Sequence, residues 1–130
     1  MVVQGVKGVG RRGDIARRAP TGVLATRDLD AILALDADVV IHAARLAPPY
    51  GSHDAEILAL LASGKNVISI NGYSDPASWS DERAAALEAA CKKGGATLMG
   101  AGLNPGFAAE QLAAVASGVC SELDAIEAVS

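Results

Sequence analysis

Aromatic side chains are nearly absent from this chain: Phe, Tyr and Trp make up 3% of its 130 residues. A core without them must be assembled from Ala, Val, Leu and Ile, which suits close packing of helices on a sheet. Positive charge is scarce too. Eleven Lys and Arg face fifteen Asp and Glu, a formal net charge of −4, which argues against a nucleic-acid partner. No apolar run approaches the ~20 residues that span a bilayer, so no membrane partner is expected. Cysteine is limited to Cys91 and Cys120, far apart, which is neither a disulfide framework nor a metal-binding pair. Cys91 falls at a core-like helical position as a small apolar filler. The two histidines, His42 and His53, are too few for a zinc site without further ligands, and no metal is expected. His42, late in a strand, reads as a satisfied core histidine, and His53, at a helix start, as a surface one. Met1-Val2-Val3-Gln4 lacks the basic start of a signal peptide, and the cytoplasm is the default compartment.

What the chain does have is alternation of apolar strands with helical stretches. Val2-Val3-Gln4-Gly5-Val6 reads as a strand, followed by a Gly- and Arg-rich loop over 7–20 with a short helix near Asp14 to Arg18. Arg11, Arg12, Arg17 and Arg18 there are either a solvated face or a nucleotide-phosphate neighbourhood. Gly22 to Ala25 reads as a short strand, and Thr26 or Asp28 as the cap of a helix turning Leu29, Ile32 and Leu33 inward. Ala37 to Ala43 is a strand, apolar enough to be covered on both faces. Asp54 to Ser63 is a helix with Ile57, Leu58 and Leu61 on one face, ended by Gly64. Asn66 to Ile70 is a strand. Ser80 caps a helix with Asp81 and Glu82 in its first turn and Ala84, Leu87 and Cys91 inward, closed by Lys92, Lys93 and Gly94-Gly95. Ala96 to Met99 is a strand. Phe107 to Ser117 is a helix with Leu112 and Val115 inward, and Leu123 to Val129 a final strand. Parallel strands need crossovers of a dozen or more residues, and these gaps supply them. The expected architecture is α/β with a mostly parallel sheet and flanking helices.

In such a sheet a ligand lies outside the carboxyl ends of the strands. Three strand ends are readable: Ala43-Ala44-Arg45, Asn71-Gly72-Tyr73, and Gly102-Leu103-Asn104-Pro105-Gly106. Small residues there admit a flat ring close to the backbone. The amide of Asn104 can match a carboxamide such as nicotinamide, although Asn104-Pro105-Gly106 is equally good as a plain turn and helix start. The helix begun near Phe107 would offer free N–H groups to a polar ligand. Tyr73 is a proton-donor candidate beside this cleft. Asp75 and Glu110 lie near two strand ends and could meet an amine or merely decorate helix ends. Gly5-Val6-Lys7-Gly8-Val9-Gly10 has glycines but neither the following apolar helix nor the acidic residue of a dinucleotide loop.

The spelling Gly100-Ala101-Gly102-Leu103-Asn104-Pro105-Gly106-Phe107, with Thr21-Gly22-Val23, Asp36 to Ala43 and Gly64-Lys65-Asn66-Val67-Ile68-Ser69, resembles the NAD(P)-dependent amine dehydrogenases related to 2,4-diaminopentanoate dehydrogenase. Their nucleotide domain is similar to that of dihydrodipicolinate reductase. The resemblance implies a Rossmann-type domain over 1–122, lacking its first βαβ unit, and a passage at 123–130 into an absent C-terminal α+β domain. The chain would then be a fragment, inactive alone, of a homodimeric oxidoreductase. That enzyme would move a hydride between NAD or NADP and the C–N or C=N carbon of a small amine, imine or carbonyl substrate. Ala43, Ala44, Arg45, Asn71, Gly72, Asn104, Pro105 and Gly106 would line the nicotinamide half. The family carries a glutamate just after the Val-Ile-Ser strand. Here that stretch reads Asn71-Gly72-Tyr73-Ser74-Asp75 with no carboxylate in the slot, so no catalytic residue is assigned. A dihydrodipicolinate-reductase-like activity and a non-catalytic α/β module are the alternatives.

Overall fold

A computed structural model describes residues 26–45, 49 and 51–127. The strands expected at Val2 to Val6 and Gly22 to Ala25, the 7–20 loop and its arginine cluster lie outside the described residues. Helix α1 (Leu29–Leu33) is capped by Asp28, whose side chain accepts the Ala31 N–H at 3.2 Å. Strand β1 (Val39–His42) leads to helix α2 (Asp54–Ala62), strand β2 (Asn66–Ser69), helix α3 (Asp81–Gly94) and strand β3 (Leu98–Gly100). The sheet has three strands in the order β1-β2-β3, and both pairs are parallel. The protein is thus α/β, with helices between its parallel strands.

Strand alternation decides what is buried. Val40 and His42 of β1, and Val67 and Ser69 of β2, point to the helix-covered side. Ile57, Leu60 and Leu61 of α2 and Leu87 and Ala90 of α3 meet them, with Tyr73 and Ala96 completing the core. Full burial of such an aliphatic side chain contributes about 1.5–3 kcal/mol. Cys91 packs half-buried against this cluster, as a filler should. Helices α2 and α3 approach closely because Gly94 has no side chain: a Cβ there would overlap the Leu61 carbonyl. Gly64 (φ 90°) and Gly95 (φ 63°) turn the chain out of the two helices in the left-handed region that glycine tolerates. Ser80 caps α3 through the Arg83 N–H, as its sequence indicates.

Two asparagines tie the sheet at its ends. Asn66 Nδ2 donates to the Asp38 carbonyl (3.0 Å) while its Oδ1 accepts the Thr97 N–H (2.9 Å). At the opposite rim Asn71 Nδ2 donates to the Ala44 carbonyl (3.0 Å). Lys65 Nζ donates to the Leu33 carbonyl (2.8 Å), fixing the end of α1 to the turn before β2.

Four expectations need correction. The sheet is covered on one face among the described residues, not two: Val39, Ile41 and Met99 are exposed, because α2 and α3 pack on the same side. Strand β3 starts at Leu98, two residues later than expected, since Ala96 and Thr97 serve the turn: Ala96 N–H closes on the Cys91 carbonyl and Thr97 N–H on Asn66. The helix expected from Phe107 is instead a π-type segment, Leu103–Leu112, interrupted at the extended Asn104, and it turns α-helical only at α4 (Ala113–Ser117). Its Leu112 and Val115 are exposed, with no described element to receive them. Finally, 123–127 form no strand. No helix among the described residues is long and apolar enough to cross a membrane.

Candidate functional site

Parallel pairing puts the carboxyl ends of all three strands on one rim, where the loops after His42, Ser69 and Gly100 emerge. Ala44 and Asn71 meet there through the amide–carbonyl hydrogen bond. Ala43 and Ala44 are half-buried, Arg45 is exposed and Asn71 is buried. Gly72 (φ 73°) does not face an open cleft: a Cβ on it would stand 3.0 Å from the Trp79 ring. Gly106 is buried, folded onto the Ala101 peptide, and follows Pro105 in the π-type segment. Asn104 is extended (φ −143°, ψ 122°) and exposed, and its amide has no hydrogen-bond partner among the described residues. The Phe107 N–H expected to be free donates to the Gly102 carbonyl at 2.8 Å, closing the π-type turn. Asp75 and Glu110 are exposed.

Beside this rim lie two side-chain clusters built on the first turn of α2. In one, Asp54 accepts Arg83 Nε and Nη2 (2.7 Å each) and the Tyr73 hydroxyl (2.6 Å). The Arg83 guanidinium lies over the Trp79 ring (3.8 Å to the centroid) and the Tyr73 ring (4.9 Å). Arg83 and Tyr73 hold the Asp54 carboxyl below its ordinary range against the opposing effect of burial. Burial, with Asp54 beside it, pushes the Tyr73 phenol up to about 12. The Tyr73 hydroxyl is thus protonated at neutral pH and donates its hydrogen to Asp54. The bidentate fork and the carboxylate's third bond make this cluster a lock between α2, α3 and the loop after β2.

The other cluster is His42, His53 and Glu56. In the β1–β2 register His42 stands opposite Ser69, and its Nδ1 lies 2.9 Å from Ser69 Oγ, which also accepts the Asn71 N–H. His42 Nε2 is buried without a hydrogen-bond partner among the described residues, so this is not the satisfied core histidine expected from sequence. His53 is not a surface residue either. Its side chain is 18% exposed, its ring stands edge-on to His42 with centroids 5.1 Å apart, and its Nε2 lies 3.1 Å from the Arg45 carbonyl. Glu56 Oε2 lies 3.7 Å from His53 Nδ1. One donor atom from each of the three residues lies within 4.8 Å of the others. Burial, then the neighbouring His53, depress the His42 pKa, opposed by Glu56. The third donor was legible as the i,i+3 spacing of His53 and Glu56 on a helix. The proximity of His42 was not, since it depends on how α2 returns to β1.

For a nicotinamide dinucleotide the fit is partial. The exposed Asn104 amide and the Ala43–Arg45 loop can face a nicotinamide, whereas Asn71 and Gly72 are committed to packing. Neither α2 nor α3 offers a pyrophosphate its N-terminus, because Asp54 and Glu56, or Asp81 and Glu82, already occupy the first turn. In comparison with known proteins, the chain matches no family model and no curated protein.

Proposed function

We propose that the chain contributes the nicotinamide side of an NAD(P)-dependent oxidoreductase. The reaction is hydride transfer between the cofactor and a C–N or C=N carbon, as the resemblance to amine dehydrogenases implies. What supports the reading is the common rim of three parallel strand ends, together with the exposed Asn104 that follows β3 and whose amide has no hydrogen-bond partner among the described residues. The cofactor supplies the hydride chemistry, and the chain's part is to place the ring. Asn104 would do this with both a donor and an acceptor, matching the carboxamide. The dihydrodipicolinate-reductase-like alternative would use the same rim with a different substrate.

Saturation-transfer NMR with NADH and NADPH tests this. Weak binding is expected, with saturation strongest on the nicotinamide protons and reduced in Asn104→Ala. Absence of transfer, or transfer confined to the adenine, would favour a non-catalytic α/β module instead. No turnover of NAD(P)H with any amine or imine is expected from the chain alone, and steady oxidation free of contaminants would contradict that.

A further inference from the structure

Buried nitrogen atoms without partners are expensive, and His42 Nε2 is one in a residue 7% exposed. With its hydrogen on Nδ1, donated to Ser69 Oγ, the ring presents a bare lone pair at Nε2. His53 makes a matching arrangement. The Arg45 carbonyl only accepts, so His53 Nε2 carries the hydrogen and Nδ1 of the neutral ring is bare. That Nδ1 faces Glu56 across 3.7 Å, too far for a hydrogen bond. In these tautomers each residue offers an electron pair with no hydrogen on it, and one donor atom of each lies within 4.8 Å of the other two. We propose that His42, His53 and Glu56 bind one divalent transition-metal ion of the zinc class. The site stands on this geometry and does not depend on the nicotinamide reading.

The outer contacts are those a metal-binding histidine uses. Ligating imidazoles donate their other N–H to a hydroxyl, carbonyl or carboxylate, which fixes tautomer and ring orientation. Ser69 does this for His42, and the Arg45 carbonyl does it for His53. Ser69 is itself held by the Asn71 N–H. Two imidazoles and one carboxylate, with a fourth position open, form a donor set suited to zinc and its neighbours; magnesium and calcium prefer all-oxygen sites. Metal bonds of about 2.0–2.1 Å set tetrahedral donors roughly 3.4 Å apart. The present spread of up to 4.8 Å must therefore contract. Glu56 can supply that movement, since its side chain is 55% exposed on the first turn of α2. Its exposure also gives the ion a way in and leaves room for a water on that side. The positive end of the α2 dipole opposes a cation, and the carboxylates of Asp54 and Glu56 offset it.

The test is zinc titration of the full chain, followed by imidazole nitrogen NMR and calorimetry, with Cys120 alkylated. Only two histidines are present, so the four ring nitrogens can be assigned one by one. One zinc per chain is expected, moving His42 Nε2 and His53 Nδ1 and leaving the other two nitrogens protonated. Magnesium should move neither. Glu56→Gln, at an exposed position, should weaken zinc about a hundredfold, and Ser69→Ala at least tenfold through loss of orientation. Thermal unfolding of each variant confirms that it is folded. Zinc binding through His53 Nε2, binding lost on Cys120 alkylation, or equal affinity in Glu56→Gln would each overturn the assignment.

Discussion

The first turn of α2 supplies two clusters that lie side by side and differ in kind. Asp54 enters a lock in which its carboxylate oxygens accept hydrogen bonds from Arg83 and Tyr73, and Arg83 is covered by two rings. His53 and Glu56, one residue before it and two after, lie beside His42 with no hydrogen bond among the three side chains in the described residues. Both clusters combine buried and half-exposed polar groups, and each leaves one buried nitrogen without a hydrogen-bond partner among the described residues, Arg83 Nη1 in the first and His42 Nε2 in the second. The kind of atom left over separates them. Arg83 Nη1 belongs to a guanidinium already held by its carboxylate and two rings, whereas His42 Nε2 belongs to a ring grouped with two further electron-pair donors, His53 and Glu56.

The sharpest way to break this contrast is Asp54→Ala. It leaves the Arg83 guanidinium and the Tyr73 hydroxyl without their acceptor. Orphaning a buried charge costs about 3–5 kcal/mol; because the Asp54 side chain is 25% exposed, water recovers part, and about 2–3 kcal/mol is expected. A loss below about 1 kcal/mol in urea unfolding would mean the cluster is not a lock. Tyr73→Phe removes one hydrogen bond to a charged group and should cost about 1–1.5 kcal/mol. It also changes the alkaline limb. The Tyr73 phenol is raised from 10.0 to about 12, so its contribution is complete below pH 10 and disappears as pH climbs to 12. The difference between wild type and Tyr73→Phe should shrink over that window, and a constant difference would contradict the role given to the hydroxyl.

His42 titrates in the opposite sense. Its folded-state pKa lies below the ordinary 6.5, chiefly through burial, so folding favours the neutral ring. That stability is fully present above pH 6.5 and is lost as pH falls through the lowered value. Urea midpoints measured from pH 7.5 downward should fall in wild type and less in His42→Gln; parallel curves would rule out His42 as the titrating group. The smallest effect is expected for Glu56→Gln in the absence of metal, a stability change within about 0.5 kcal/mol. A loss above about 1 kcal/mol would place Glu56 in a structural network like that of Asp54.

Much of the fold was legible because it is written in local signals. The Val39-Val40-Ile41 and Val67-Ile68 runs, the Ser80 cap and the Gly64 and Gly95 exits mark strands and helix ends through steric and hydrogen-bonding preferences that act within a few residues. Helical spacers of the right length then favour parallel pairing. Less was legible where an outcome depends on what lies opposite. Val39 and Ile41 have the apolar character of a two-sided strand, yet only one side is covered by described elements. Leu112 and Val115 lie on a helical stripe with nothing described to bury it. Pattern states what could be buried, and only packing decides what is.

The sequence by itself determined the alternation of strand and helix, the parallel sense of the sheet and the common rim at which its loops emerge. Tertiary structure alone decided how the polar side chains near that rim are used. It gave Tyr73 to Asp54, closed the Asn71 amide onto Ala44, left Asn104 exposed and brought His42 to His53 and Glu56. The physical reason is range. Backbone preferences act between neighbours, whereas a side chain's partner is fixed by β1–β2 register and by the return of α2 across the sheet, which join residues far apart in the chain.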